Sequence, residues 1–276
     1  MSITGGIKFF YKAMNLYKDG AVGTASTNSA AAKYVLSHDN YTQWESIGSN
    51  DTISEYIYVQ LPATKTITRM FLTEMNFKDF EVHYWDGAAY QSFTNVIGEN
   101  GNAYTGVKAT TYAFESAYFE FDSVSTDRLR ITATKTQVAN QEKYLCKFLV
   151  SSEIGTMQGF PRIDNRSDRN EIKTKTIGGK FLISKSFNIS QIKVNFKTHP
   201  YQADINLIET LYDSEDPFLV FPCGGRHGTQ YFKIEQKTWK LGDVFNMKLS
   251  GDMDHKFEKG VYLLGVNKDV TFEEHI

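Results

Sequence analysis

Between residues 56 and 150 apolar and polar positions alternate with a period of two, in short runs broken by turn residues. That is the pattern of strands that bury one face. The clearest run is Phe80 to Tyr90, where Phe80, Val82 and Tyr84 fall on one face and Glu81, His83 and Trp85 on the other. Asp86-Gly87 supplies the positive φ angles of a tight hairpin. Tyr56, Tyr58 and Leu61 lead to Pro62, which predicts a strand end. Ile67 to Leu72, Tyr118-Phe119-Glu120-Phe121, Leu129-Arg130-Ile131 and the closing Lys147-Phe148-Leu149-Val150 repeat the device. With no helical period competing, this half is expected to be a β-sandwich.

The flanks are organised differently. Residues 1–15 alternate Ile7, Phe9 and Tyr11 against Lys8 and Lys12, an extended arm that needs something to hold it. Residues 20–32 are small and loop-like, with a helical turn expected around Ala30 to Lys33. Gly155, Gly159 and Pro161 punctuate a stretch without apolar period, placing the boundary there. Beyond it, residues 174–196 predict two strands separated around Ser186 to Ser190. Tyr201, Ile205, Ile208, Leu211 and Tyr212 recur at helical spacing, and Pro200 suits a first turn. Short apolar runs at Pro217 to Pro222, Tyr231 to Ile234, Val244 to Leu249 and Tyr262 to Val266 complete a sheet. The expected fold is therefore mainly β: a jelly-roll sandwich over 16–154 after an arm of 1–15, then an antiparallel β domain with one packed helix over 160–276.

Composition narrows the function classes. The 276 residues suffice for two cores, and 16 Tyr with 20 Phe mark a folded, strand-rich chain. A net charge of −2 offers no overall footprint for nucleic acid or an anionic membrane, although residues 162–197 carry 9 Lys/Arg against 3 Asp/Glu. That local bias reads as a solvated or subunit-facing rim. Lysines at 8, 12 and 18 interrupt any signal-peptide core, and no run approaches the apolar length of a membrane span. On that expectation of synthesis in the cytoplasm, the sequons at Asn40, Asn50, Asn165 and Asn188 are chance matches. Cys146 and Cys223, each in an apolar context, are expected to be reduced.

No catalytic constellation assembles in the sequence. Cys223-Gly224-Gly225-Arg226-His227 brings a thiol near an imidazole, but without a second ligand pair at zinc spacing it reads as a glycine-rich turn. Gly178-Gly179-Lys180 lacks the flanking residues of a phosphate loop, and Asp252, Asp254 and His255 offer too few oxygens for calcium. Asp213, Glu215 and Asp216 close the helix at its unfavourable end, to be balanced by solvent or a basic partner. No cofactor or metal is expected, and no enzyme. Binding has better candidates: Trp85, beside the turn on the polar face, and Tyr41, on the loop before Trp44, are flat rings suited to stacking on sugars.

The order of signals in the first half resembles the discoidin, or coagulation factor 5/8 type C, domain of the galactose-binding-like superfamily. The residues are Ala25-Ser26, Asp39-Asn40 with Thr42, Trp44-Glu45-Ser46, Tyr56 to Leu61, the Tyr84 to Tyr90 hairpin, Arg128 to Ile131 and Phe148-Leu149-Val150. The resemblance implies a core role for Trp44; the bridging cysteines of extracellular members are missing. The second half resembles bacteriophage distal tail and baseplate modules through Ile192 to Phe196, the helix Asp204 to Tyr212, and Pro217 to Gly224. Together these imply a structural component of a phage or prophage-like tail, assembled in the host cytoplasm and carried in the virion. Its second domain would form a homo-oligomeric ring, with other tail proteins and a host surface glycan as partners. The alternative is a stand-alone carbohydrate-binding protein.

Overall fold

In the computed structural model the described residues are 7–38, 42–98, 101–157 and 202–221, with the strands at 162–175, 181–195, 232–234, 237–239, 245–250, 256–257, 264–265 and 269–274. In chain order the strands are β1 (Lys8–Phe10), β2 (Val22–Ala25), β3 (Trp44–Glu45), β4 (Glu55–Met75), β5 (Phe77–Trp85), β6 (Tyr90–Ser92), β7 (Val96–Gly98), β8 (Ala103–Tyr104), β9 (Val107–Ala109), β10 (Ala117–Thr136) and β11 (Tyr144–Ser151). There follow β12 (Glu153–Thr156), β13 (Arg162–Lys175), β14 (Phe181–Asn195), helix α1 (Gln202–Tyr212), β15 (Phe218–Phe221), β16 (Phe232–Ile234), β17 (Lys237–Trp239), β18 (Phe245–Ser250), β19 (Lys256–Phe257), β20 (Leu264–Gly265) and β21 (Asp269–Glu274). The chain is mainly β and antiparallel, as expected.

Strands β2 to β11 build the sandwich, and two of them serve both of its layers. The first part of β4 pairs with the end of β10 (Ile57 opposite Ile131), and its later part pairs with the start of β10 (Phe71 opposite Tyr118). Between these stretches the register jumps from Gln60–Arg128 to Lys65–Thr126. Pro62 sits in that interruption, where a missing N–H costs no ladder bond. It therefore does not end the strand, contrary to the sequence expectation, but marks where the strand passes between layers. The front layer runs β2, β4, β10, β5, with β6 and β9 on the far side of β5. The back layer runs β3, β11, β4, β10, β7, β8. Ile57, Val59, Leu129 and Ile131 from the front meet Met70, Leu72, Phe119, Phe148 and Val150 from the back in one core. Trp44 belongs to that core, fully buried, with Nε1 donating to the Thr27 carbonyl at 3.0 Å. The helical turn expected near residue 30 is a 3-10 helix, Ser29–Leu36, that packs Ala32, Val35 and Leu36 into the same core.

The back layer is apolar on both faces. Phe71, Tyr118 and Leu149 point away from the sandwich core, yet each is fully buried. Their cover comes from chain segments on both sides of the sandwich in sequence. The Phe10 ring lies 5.2 Å from Phe71 and 5.9 Å from Tyr118, and the Phe221 ring lies 5.6 Å and 5.1 Å from the same two. Strand β1 is not a free arm: it lies between β12 and β15 in a seven-stranded sheet ordered β12, β1, β15, β18, β21, β14, β13. The segment after it is stitched to the edge of β11, where Met14 N donates to the Val150 carbonyl at 2.9 Å. The buried Asn15 side chain donates to the Phe148 carbonyl at 2.7 Å and accepts from Val150 N at 3.0 Å. The sandwich is thus inserted between the first and second strands of the other sheet.

A charged network crosses the same junction. Lys8 and Arg69 both pair with Glu120, Arg69 also with Glu153, and the Tyr118 hydroxyl donates to Glu120 at 2.9 Å. Burial alone would raise the Glu120 carboxyl, but the two cations outweigh it and hold the group below its usual value. Helix α1 closes the second core with Ile208 and Leu211. Its approach depends on Gly155, where a Cβ would stand 2.9 Å from Leu207 Cδ1. Tyr212, expected on the buried face, is 45% exposed at the helix end. The gap expected around Ser186 to Ser190 is absent: β14 is continuous, and Ser186 is the extra residue of a bulge opposite Asn170 and Glu171. The basic bias at 162–197 falls largely on this β13–β14 hairpin, whose outer strand is the sheet edge.

Residues 16–152 expressed alone are predicted to self-associate and to bind a hydrophobic dye, because Phe71, Tyr118 and Leu149 lose their cover. Size-exclusion with dye fluorescence checks this, and a monomeric, dye-silent fragment would refute the account of the back face.

Candidate functional site

The front layer leaves its outer face free, and period two decides what stands there. On β4, Ile57 and Val59 point inward, so Tyr56 and Tyr58 point out; on β10, Leu129 and Ile131 point inward, so Arg128 and Arg130 point out. On β5, Phe80 and Val82 are buried, leaving Glu81, His83 and Trp85 on the outer side. Strand pairing sets Tyr58, Arg130 and His83 in one row across three strands, and Trp85 opposite Tyr90.

The rings form a continuous ladder. Tyr56 and Tyr58 stack at 6.2 Å between centroids, Tyr58 and Tyr90 lie 6.3 Å apart, and Tyr90 meets Trp85 edge-on at 5.2 Å. Two guanidinium groups are laid on this ladder. Arg130 sits 4.5 Å from the Tyr90 centroid and 6.0 Å from Tyr56, and Arg128 sits 5.6 Å from Trp85. Trp85 is consequently half-buried, not fully exposed as the sequence suggested, while Tyr58 is 38% exposed.

The turn beside Trp85 is longer than the expected two-residue hairpin. The last pair is Trp85–Tyr90, so four residues turn the chain, closed by Asp86 N donating to the Ala89 carbonyl at 3.1 Å. The Asp86 carboxylate accepts from Ala88 N and Ala89 N and from Gln91 Nε2, each at 2.8 Å, and these bonds hold it below its usual value. Only Gly87 takes the positive φ, +105°.

His83 is the titratable centre of the face. Its Nε2 lies 3.2 Å from Glu81 and its Nδ1 3.5 Å from Arg130 Nη2, which suits a neutral ring donating to the carboxylate and accepting from the guanidinium. Burial lowers its pKa, Arg130 and Lys108 add to this, and Glu81 opposes. Burial likewise raises the Tyr90 hydroxyl, against the pull of Arg130. At its edge the face borders a cleft of about 390 Å³ lined by Tyr104, Lys108, Tyr112 and Phe114 among others.

Of the residues singled out in the sequence, Trp85 lies on this face. Tyr41 lies outside the described residues, as do Cys223 to Gly228, Gly178 to Lys180, and Asp252, Asp254 and His255. Cys146 is buried, its thiol donating to the Thr42 carbonyl at 3.1 Å. The Glu215 carbonyl beyond the helix accepts from Lys248 at 2.8 Å. Among the described residues no group of three or more His, Cys, Asp or Glu is placed to hold a metal, and no helix is long and apolar enough to cross a membrane. The sequence reading missed Tyr56, Tyr58, Tyr90, Arg128 and Arg130. The signal was present in the same alternation: the outward positions between inward Ile and Leu residues are aromatic or arginine.

The fold and this face define a two-module β protein with one buried and one free sandwich face. No protein family matches the chain, and no curated protein matches it. Among solved structures it is similar to chitosan-binding module 1 from a chitosanase/glucanase of Paenibacillus sp. IK-5, at 18% identity and a TM-score of 0.40, over 51% of this chain and 98% of that one. It is also similar to a family 32 carbohydrate-binding module from Clostridium perfringens in complex with galactose, at 11% identity and a TM-score of 0.38, over 52% and 98%. A third, from the same organism and in complex with GalNAc-β-1,3-galactose, shares 12% identity at a TM-score of 0.39, over 50% and 99%. These likenesses cover the N-terminal half; the comparisons give the tail-like module no support.

An NMR titration is predicted to place the His83 midpoint below 6.5, its ordinary value. Glu81→Gln should lower it further and Arg130→Gln should raise it. A midpoint above 6.5 would contradict the geometry described for this ring.

Proposed function

We propose that this is a non-enzymatic saccharide-binding protein that holds its ligand on the front face around Trp85, Tyr58 and Tyr90. One observation carries the reading: four aromatic rings and two guanidinium groups share a single outer sheet face, while the opposite face of the same sandwich is sealed. Sugar rings present C–H surfaces that stack on aromatic faces, and their hydroxyls need donors and acceptors at the rim. Gln60, His83, Ser92 and the arginines supply those from the same or adjoining positions. A polysaccharide array followed by calorimetry tests the proposal. Trp85→Ala should weaken binding by about tenfold or more while costing about 1–2 kcal/mol of stability, as expected for a half-buried ring. Wild-type affinity in that variant would overturn the assignment.

A second reading is favoured by the insertion itself. The sandwich is an insertion between β1 and β12 of the second module, which carries it as a side branch, and that module's edge strand β13 is long and basic. This supports a role as a tail or baseplate component that assembles into a ring through that module, in a virion, with the sandwich displayed toward a host glycan. Light scattering showing a strict monomer at all concentrations would count against it.

A further inference from the structure

We infer that the saccharide taken by this face is acidic, and that its carboxylate is received by Arg130. The inference rests on the saccharide-binding reading and adds the charge class of the ligand. Three arginines have described side chains. Arg69 is paired with Glu120 and Glu153, and Arg128 lies 3.5 Å from Asp127. Arg130 has no carboxylate within 4.0 Å among the described residues. Its Nε is buried without a hydrogen-bond partner, and its Nη2 meets only the neutral His83 ring, at 3.5 Å.

The carboxylate of Glu81, on the same face, does not compensate. Glu81 is engaged by His83 at 3.2 Å and by Lys108 at 3.8 Å. A partly desolvated guanidinium without a counter-ion is a standing cost that an incoming anion would relieve. The guanidinium carbon lies 4.5 Å from the Tyr90 centroid and 6.0 Å from that of Tyr56, contacts that hold the group in place before a carboxylate arrives. A neutral hydroxyl could accept one of these bonds, but a carboxylate accepts two, each charge-assisted and roughly twice as strong. Arg128, at Trp85, places a second cation where the next sugar residue of an oligomer would lie.

The test compares paired ligands that differ in charge at the carboxyl group: oligogalacturonate, oligoglucuronate and sialyllactose, each beside its methyl ester, titrated into the full chain by calorimetry at low and at ~0.15 M salt. At least one acid should bind about tenfold more tightly than its ester at low salt, with the preference shrinking as salt rises. Arg130→Gln should abolish the preference by lowering acid affinity more than ester affinity, and Arg130→Lys, which keeps the charge but loses the fork, should restore part of it. If esters bind as well as acids, the inference fails and the saccharide reading stands. If the preference survives Arg130→Gln, the assignment to Arg130 fails. If no acid binds in any pair, the inference fails, and the neutral array then decides the saccharide reading separately.

Discussion

A sandwich needs one apolar face per sheet, and this one has a sheet with two. Phe71, Tyr118 and Leu149 stand on the outer side of the back layer, and exposing them would cost about 1.5–3 kcal/mol each for the large side chains. Everything else in the arrangement answers to that surface. Phe10 from the start of the chain and Phe221 from its second half close over it from two sides, so strand β1 must travel with β15. The insertion of one module into the other follows from that. The ion pairs of Lys8, Arg69, Glu120 and Glu153 fix how the two meet, since a buried charged group with a misplaced partner is heavily penalised.

Sealing the back face determines which face is available. The front layer keeps one apolar and one solvent-facing side, and its outward positions carry tyrosine, tryptophan and arginine in neighbouring rows. Those side chains stand on central strands rather than on loops, so their spacing is set by the hydrogen-bond ladder. Rigid rings lose little freedom on binding, which suits the saccharide role proposed for this face. Arg130 is the exception to that description, being a fixed charge with no carboxylate within 4.0 Å among the described residues.

Much of this was legible in residue order. Strict alternation gave the hairpin of Phe80 to Tyr90 and both long strands in pieces, and helical spacing gave α1 to within a few residues. The turn at Asp86 was recognised by its chemistry, although a side-chain acceptor stretched it to four residues. What alternation could not show is that Pro62 lies inside a strand, because a missing donor is harmless only where the partner strand has shifted register, and that is a property of two segments sixty residues apart. The arm was seen as extended, but its partners, Val220 and Gly155, are tertiary facts. The back face did leave a trace: Met70-Phe71-Leu72 and Phe148-Leu149-Val150 are unbroken apolar runs, the mark of strands covered on both sides. In the sequence Arg128 and Arg130 stand only as part of a strand run and of the discoidin resemblance, and only the cross-strand rows bring them onto the rings.

The central claim is that one shared apolar seam, bridged by Phe10, couples the back layer of the sandwich to the second module. Native-state hydrogen exchange on the full chain and on Phe10→Ala tests it most directly. The account predicts that the substitution speeds exchange together in β1, β15, β11 and the later part of β4, while the front-layer amides of Ile57, Val59 and Ile131 keep their protection. Faster exchange confined to β1 and β15, with β11 and β4 unchanged, would contradict it.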